Sequence, residues 1–364
     1  MKKIGIDARL LNQTGVGTYI QNLLFYLDQH KSLDNLYYVY LLKKDFNHIN
    51  FKSSNIIKKK ADFHWHSFSE QLNFLSVLLG DNLDLVHFTY FTFPVLYRKK
   101  FILTVHDMTP ILFKTGQAST RNPLIYQIKH FIFKIVFFAG LKNSIKVIVP
   151  TKTVKKQILS YYGKDFKDKI EVIYEGVSYY LLQKNKEKIN KKEFPYKNFF
   201  LYVGNFYPHK NVENLIEAFS KIEGDYQLIL IAPDDFFTKR LEKKLKKKEI
   251  KRVFILKNVG KNQMVWFYRN CLALVHPSLS EGFGLTLMEA AYFGKPVIAS
   301  KIDVFEELWG KNYLSFNPKD PTDIRSKIEY FLEKKPNFSY EKLLRKYSFE
   351  KMTHKTLELY HKLV

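Results

Sequence analysis

Short apolar runs alternate with helix-length segments along nearly the whole chain, and the alternation stops and restarts once. Strands that are apolar on both faces and separated by helices pack as parallel sheets between helical layers, so the chain is expected to be α/β. In the first half the expected strands are Lys3–Asp7, Tyr37–Leu42, Leu85–Phe88, Phe101–Val105, Lys146–Val149 and Lys169–Val172, with helices over Tyr19–Gln29 and Pro123–Phe138. The pattern breaks near residues 179–197, where Lys184–Lys192 holds five lysines and Pro195 follows, as an exposed linker would. It resumes with Phe199–Val203, Gln227–Ile231, Val253–Leu256, Ala273–His276 and Pro296–Ser300. Two similar α/β domains follow from this, one over 1–178 and one over 179–345. The stretch Tyr340–Val364 reads as one or two helices, and 346–364 could return to the first domain.

A chain of 364 residues with 46% hydrophobic side chains can bury two cores of middling size. Its net charge of +24 is shared almost equally between the halves, 25 Lys/Arg against 13 Asp/Glu before residue 179 and 34 against 22 after it. Such a field attracts phosphate-bearing partners, whether nucleotide sugars, anionic lipid or nucleic acid. A nucleic-acid groove calls for basic residues clustered with stacking aromatics, and the even spread counts against it. The single cysteine, Cys271, excludes an internal disulfide and any Cys cluster for zinc. No 18-residue apolar window exists and Met1-Lys2-Lys3 runs straight into a strand, so a cytoplasmic location is expected. The segment Arg121–Lys146 mixes Lys129, Lys134 and Lys142 with Tyr126, Phe131, Phe133, Phe137 and Phe138. It suits either peripheral contact with anionic lipid at the inner membrane face or an ordinary helix packed on the sheet.

The most informative string is Pro277–Ala290. An apolar strand ends at His276, a loop with Gly282 and Gly284 follows, and a helix begins near Gly284. The first N–H groups of that helix, at Gly284, Leu285 and Thr286, would face an anion. Glu281 and Glu289 flank the same position, and a carboxylate suits adjacent sugar hydroxyls. A loop that merely caps a helix is the plainer reading. In Phe200–Asn211 a strand ends at Gly204, Asn205 follows, and Lys210 could neutralise a departing diphosphate. Asn211 is expected to cap the next helix, Val212–Ile222. Gly15 and Gly17 open another phosphate-friendly helix after the first strand, and a third glycine of the dinucleotide pattern is absent. His106-Asp107 closes the strand Phe101–Val105, without any Ser or Cys elbow to make a hydrolase triad. No Asp-x-Asp pair occurs, and His64 and His66 alternate as a strand would, so no metal is expected.

These strings together resemble the E-x7-E signature of retaining GT-B glycosyltransferases, family four. The resemblance implies two Rossmann-like domains facing across a cleft and a metal-independent transfer with retained configuration. A hexose would pass from a GDP- or UDP-sugar to a glycan or lipid-linked acceptor, without a cofactor. It assigns Glu289 to the ribose hydroxyls, Glu281 to the donor sugar, and the backbone of Gly284, Leu285 and Thr286 to the diphosphate. Lys210, with Gly204 and Asn205 in the same loop, would stabilise the leaving group. Gly15 and Gly17 would lie over donor phosphates and acceptor, and His106 would contact a sugar. Many members carry an arginine where this chain has Asn205 and His209, which leaves His209 as the candidate second cation. Glu175 stands where an Asn is usual. The His-Asp segment suggests mannose from a guanine nucleotide. A GT-B-type epimerase would need an acid/base pair that does not stand out, and a phosphorylase would need a pyridoxal lysine and a longer chain.

Overall fold

A computed structural model describes residues 1–31, 33–65, 67–113, 123–184, 194–247 and 250–364. Most of the expected linker (185–192), together with His66 and Arg121, lies outside them. The chain forms two compact units, and each is built on its own parallel sheet.

The first unit comprises Met1–Met108, Asn122–Glu175 and Ser348–Val364. Its strands are β1 (Lys3–Asp7), β2 (Leu36–Leu41), β3 (Ile56–Lys60), β4 (Leu85–Phe88), β5 (Phe101–Thr104), β6 (Lys146–Val149) and β7 (Ile170–Val172). They pair in the order β3-β2-β1-β4-β5-β6-β7, every pair parallel. Central strands bury both faces, and Ile4, Ile6, Leu85, Val86, Ile102 and Leu103 have no exposure. β3 was not anticipated because Ile-Ile-Lys-Lys-Lys reads as polar. As an edge strand it buries only Ile56 fully, and its lysines guard the open edge, Lys59 pairing with Asp81 at 2.6 Å.

The first helix runs Gly15–Asp28, four residues ahead of the expected start, so both glycines sit in its first turn. A Cβ at Gly17 would strike the Leu11 carbonyl, whereas Gly15 faces open space. Only Gly17 is needed for close backbone approach. The final helix, Phe349–Leu363, packs on this helix and begins at Ser348, whose hydroxyl accepts the Lys351 N–H. Its Tyr360 hydroxyl lies 2.6 Å from His87 Nδ1 on β4.

The second unit comprises Thr109–Arg121 and Gly176–Tyr347. It holds β8 (Phe199–Val203), β9 (Gln227–Ala232), β10 (Val253–Lys257), β11 (Leu274–His276), β12 (Val297–Ser300) and β13 (Leu314–Phe316). These pair, all parallel, in the order β10-β9-β8-β11-β12-β13. β13 gave no signal in the sequence because only Phe316 of its three residues is buried. In both sheets the order reverses once, between β1 and β4 and between β8 and β11. Open parallel sheets bind ligands beyond the carboxyl ends of the strands at such a point.

Candidate active site

In the second unit the loops after β8 and β11 leave adjacent strands at the reversal, and they bring distant residues into contact. Lys210 Nζ lies 2.6 Å from Glu281 Oε1 across 71 positions of sequence. The same oxygen is 2.8 Å from His276 Nε2, which is also 3.0 Å from Ser278 Oγ. Burial alone would raise the Glu281 carboxyl, but Lys210 and His276 outweigh it and hold the group well below the usual carboxylate range. Burial lowers His276, with Glu281 opposing. The imidazole can thus stay neutral and donate from Nε2 to the ionised glutamate.

Aromatic rings fix this cluster. Tyr202 stacks on His276, centroids 5.6 Å apart and planes at 16°, and its hydroxyl donates to the Asn205 carbonyl at 2.7 Å. Phe305 meets His276 edge-on at 5.9 Å. The same ring explains Gly284. That residue has φ +86°, and a Cβ there would come 2.6 Å from Phe305 Cε1. Gly284 starts the helix Leu285–Tyr292 without a side-chain cap, so the first helical N–H groups lack intrahelical acceptors. Gly204 follows β8 at φ +150°. Asn205 Oδ1 is buried without a hydrogen-bond partner among the described residues.

Glu289 sits one turn into this helix, 7% exposed. Tyr268 Oη donates to its Oε2 at 2.6 Å, yet burial prevails and pushes the carboxyl up to about 7. The two glutamates therefore have opposite electrostatic settings, Glu281 paired with a cation and Glu289 desolvated beside a phenol.

The loop carrying Lys210 departs from expectation at Asn211. This residue occupies the cap position before Val212–Ser220 but adopts a left-handed conformation, φ +58°, and makes no cap bond. Its amide instead donates to the Pro277 carbonyl at 3.1 Å and the Pro318 carbonyl at 2.6 Å. The Leu279 N–H donates to the His209 carbonyl at 2.7 Å. These bonds stitch the two loops together and set Lys210 against Glu281. His209 itself is buried beside Phe113, ring centroids 6.3 Å apart.

In the first unit His106 follows β5. Its Nε2 is 2.9 Å from the Thr89 carbonyl and its Nδ1 is 3.3 Å from Glu175 Oε1, with the Tyr19 ring edge-on at 4.8 Å. Both ring nitrogens are engaged, so a hydroxyl reaching His106 would displace Glu175, the longer contact. Behind it, His87 bridges Tyr360 and Thr104, and burial with His106 nearby lowers it to about 3. Asp7 and Arg9 belong to a buried ionic cluster. Arg9 forks onto Asp7 at 2.9 and 2.7 Å, reaches Glu70 at 2.7 Å, and lies over the Phe74 ring. Thr92 completes it by donating to Glu70 at 2.9 Å.

Sequence reading missed His276, Ser278, Tyr268 and Glu175 as partners. His276 carried a usable signal, a polar residue at the carboxyl end of a buried strand directly before the glutamate loop. Among the described residues no three of His, Cys, Asp and Glu converge as metal ligands, and no helix is long and apolar enough to cross a membrane.

Comparison with known proteins follows the same division. Residues 14–179 match the family described as Glycosyltransferase Family 4, and residues 183–350 match Glycosyl transferases group 1. The O-antigen chain mannosyltransferase RfbU of Salmonella typhimurium is 31% identical over 295 residues, 79% of this chain and 76% of that protein. Sucrose-phosphate synthase from Thermosynechococcus elongatus superposes with a TM-score of 0.76 at 17% identity, over 100% of this chain and 99% of that one. HepE of Anabaena, in complex with UDP and glucose, superposes at 0.72 with 15% identity over 100% of both chains. The two structural likenesses carry the fold, which is GT-B.

Proposed function

The chain belongs to glycosyltransferase family 4, and from that premise we propose that it transfers mannose from a nucleoside diphosphate mannose, GDP-mannose foremost, to a glycan or lipid-linked acceptor in polysaccharide assembly. The observation that supports this reading is the Lys210–Glu281 contact of 2.6 Å beside an uncapped helix start, with Glu289 one turn further on. Glu289 takes the ribose hydroxyls, the N–H groups of Gly284, Leu285 and Thr286 take the diphosphate, and Glu281 takes a hydroxyl of the donor sugar. Asn205, with its free buried oxygen, and Gly204 border the same phosphates. Gly15 and Gly17 border the donor phosphates and the acceptor, and His106 contacts a sugar.

In the reaction the bond from the sugar C1 to the diphosphate oxygen breaks, and its electron pair stays on the diphosphate. The acceptor oxygen bonds to C1 on the face just vacated, and its proton passes to the departing phosphate. Configuration is retained and no protein nucleophile is needed. Lys210 swings from carboxylate to phosphate and offsets the growing charge, so no metal is required.

Thermal stability with UDP, GDP, ADP and CDP, each with and without EDTA, tests this. A shift specific to GDP, unmoved by EDTA and reduced in Glu289→Ala and Lys210→Ala, supports it. No shift with any nucleotide at millimolar concentration would overturn it. The anomeric configuration of the product, read by NMR, tests retention separately.

A further inference from the structure

The helix Pro123–Asn143 leaves a row of large apolar side chains in water. Ile128 is 54% exposed, Phe131 65%, Ile132 52%, Ile135 51% and Phe138 42%. At 100° per residue these five share one face about 120° wide, while Phe137, Gly140 and Leu141 turn inward. The inward face packs Phe137 on Phe91, and Gly140 admits the Phe93 ring. The helix is therefore docked by one side and apolar on both. Five such side chains in one row, of helical length about 15 Å, exceed the scattered exposure normal for a soluble surface. Tyr161, 46% exposed, adjoins the far end through Tyr162, which stacks on Phe138 at 5.9 Å.

The chain around this row is acid-poor, and Asp165, next to the Phe166 ring that meets Phe138 at 6.2 Å, is the first acid to follow it. Residues 108–164 contain no Asp or Glu and ten Lys or Arg. Lys129 and Lys134 fall on either side of the row by helical angle, and Lys142 ends it. A second copy of the chain would bring the same lysine-rich, acid-poor surface against this one, and like charge repels. An apolar strip rimmed by lysines instead complements a surface that is apolar beneath and anionic on top.

We propose that this face is a membrane-docking surface, with Phe131, Ile132 and Ile135 entering the acyl boundary of an anionic bilayer and the lysines resting on its phosphates. The chain would then lie on the membrane without spanning it, where a lipid-linked acceptor is found, and the docking holds whichever donor the chain uses.

Co-sedimentation of the full chain with vesicles tests this. Vesicles of phosphatidylglycerol in phosphatidylcholine should bind it, pure phosphatidylcholine should not, and salt should weaken the binding. Phe131→Ser with Ile135→Ser should weaken it at least about tenfold. Lys129→Gln and Lys134→Gln should each cost about fivefold. Melting temperature and the nucleotide-induced shift should stay unchanged in all of them. Phe131→Trp keeps the face apolar and should show a blue-shifted emission on the anionic vesicles alone. Three results would overturn the proposal: no binding to anionic vesicles, binding indifferent to Phe131 and Ile135, or a solution dimer that the serine pair dissociates.

Discussion

Replacing Glu289 with glutamine should stabilise the ligand-free protein at neutral and higher pH while leaving it unchanged in acid. The buried Glu289 carboxyl is pushed up to about 7 from an ordinary value of 4.5. The unfolded chain gives up this proton near the ordinary value, whereas the folded chain keeps it to about 7. Between those values the folded state binds more protons, so stability falls as pH rises, and above them the full penalty persists. At about 1.4 kcal/mol per pH unit the penalty reaches roughly 3 kcal/mol. Glutamine removes the titration but keeps the volume and an oxygen to accept the Tyr268 hydroxyl. The variant should match the parent near pH 4.5 and exceed it by roughly 3 kcal/mol at about pH 8. The slope contributed by all other groups is common to both proteins and cancels in the difference. Urea denaturation across this range, followed by tryptophan emission, is the assay, because Trp266 and Trp309 both lie in the second unit. Parallel stability–pH curves for the two proteins would refute the reasoning and return Glu289 to ordinary carboxylate behaviour.

Lys210→Ala should lower kcat/KM by about 10²–10³-fold through loss of charge stabilisation, measured by steady-state transfer from the donor that the nucleotide panel identifies. Gly284→Ala should lower stability by about 1–3 kcal/mol in thermal denaturation, since its backbone is at φ +86° and its Cβ would meet Phe305 at 2.6 Å. In a Phe305→Leu background the loss from Gly284→Ala should shrink to its backbone part, because the clash with the ring is gone while φ stays positive. Arg9→Met should cost about 3–5 kcal/mol because Asp7 and Glu70 would be left buried without their cation, and urea denaturation in a Trp266→Phe, Trp309→Phe background, where Trp65 alone emits, would show it.

The sequence disclosed the sheets more fully than the contacts. β1, β4, β6 and β8 fall at the expected residues because each is apolar on both faces, whereas β3 and β13 escaped as a lysine-rich edge and a strand that buries one residue. Glu281, Glu289 and Lys210 were legible as residue types after strand ends. Their partners were not. Lys210 and Glu281 are 71 positions apart, and His106 and Glu175 are 69 apart, so no local spacing could pair them. Asn211 misled for a physical reason, since asparagine serves both as a cap acceptor and as a left-handed donor, and only the neighbouring Pro277 and Pro318 carbonyls decide between them.

The return of the last helix to the first unit bears on how the protein is made. A ribosome delivers residues in order, at about 5–20 per second in the cell. Residues up to Glu175 emerge first, but the helix that supplies Tyr360 to His87 follows only after Gly176–Tyr347 has been synthesised. That interval is roughly 10–35 s at those rates. Throughout it the nascent first unit lacks the helix that packs on Gly15–Asp28 and the hydroxyl that reaches His87 Nδ1. A chaperone that shields such a face would act there, and chain termination before Ser348 would release a first unit that never closes.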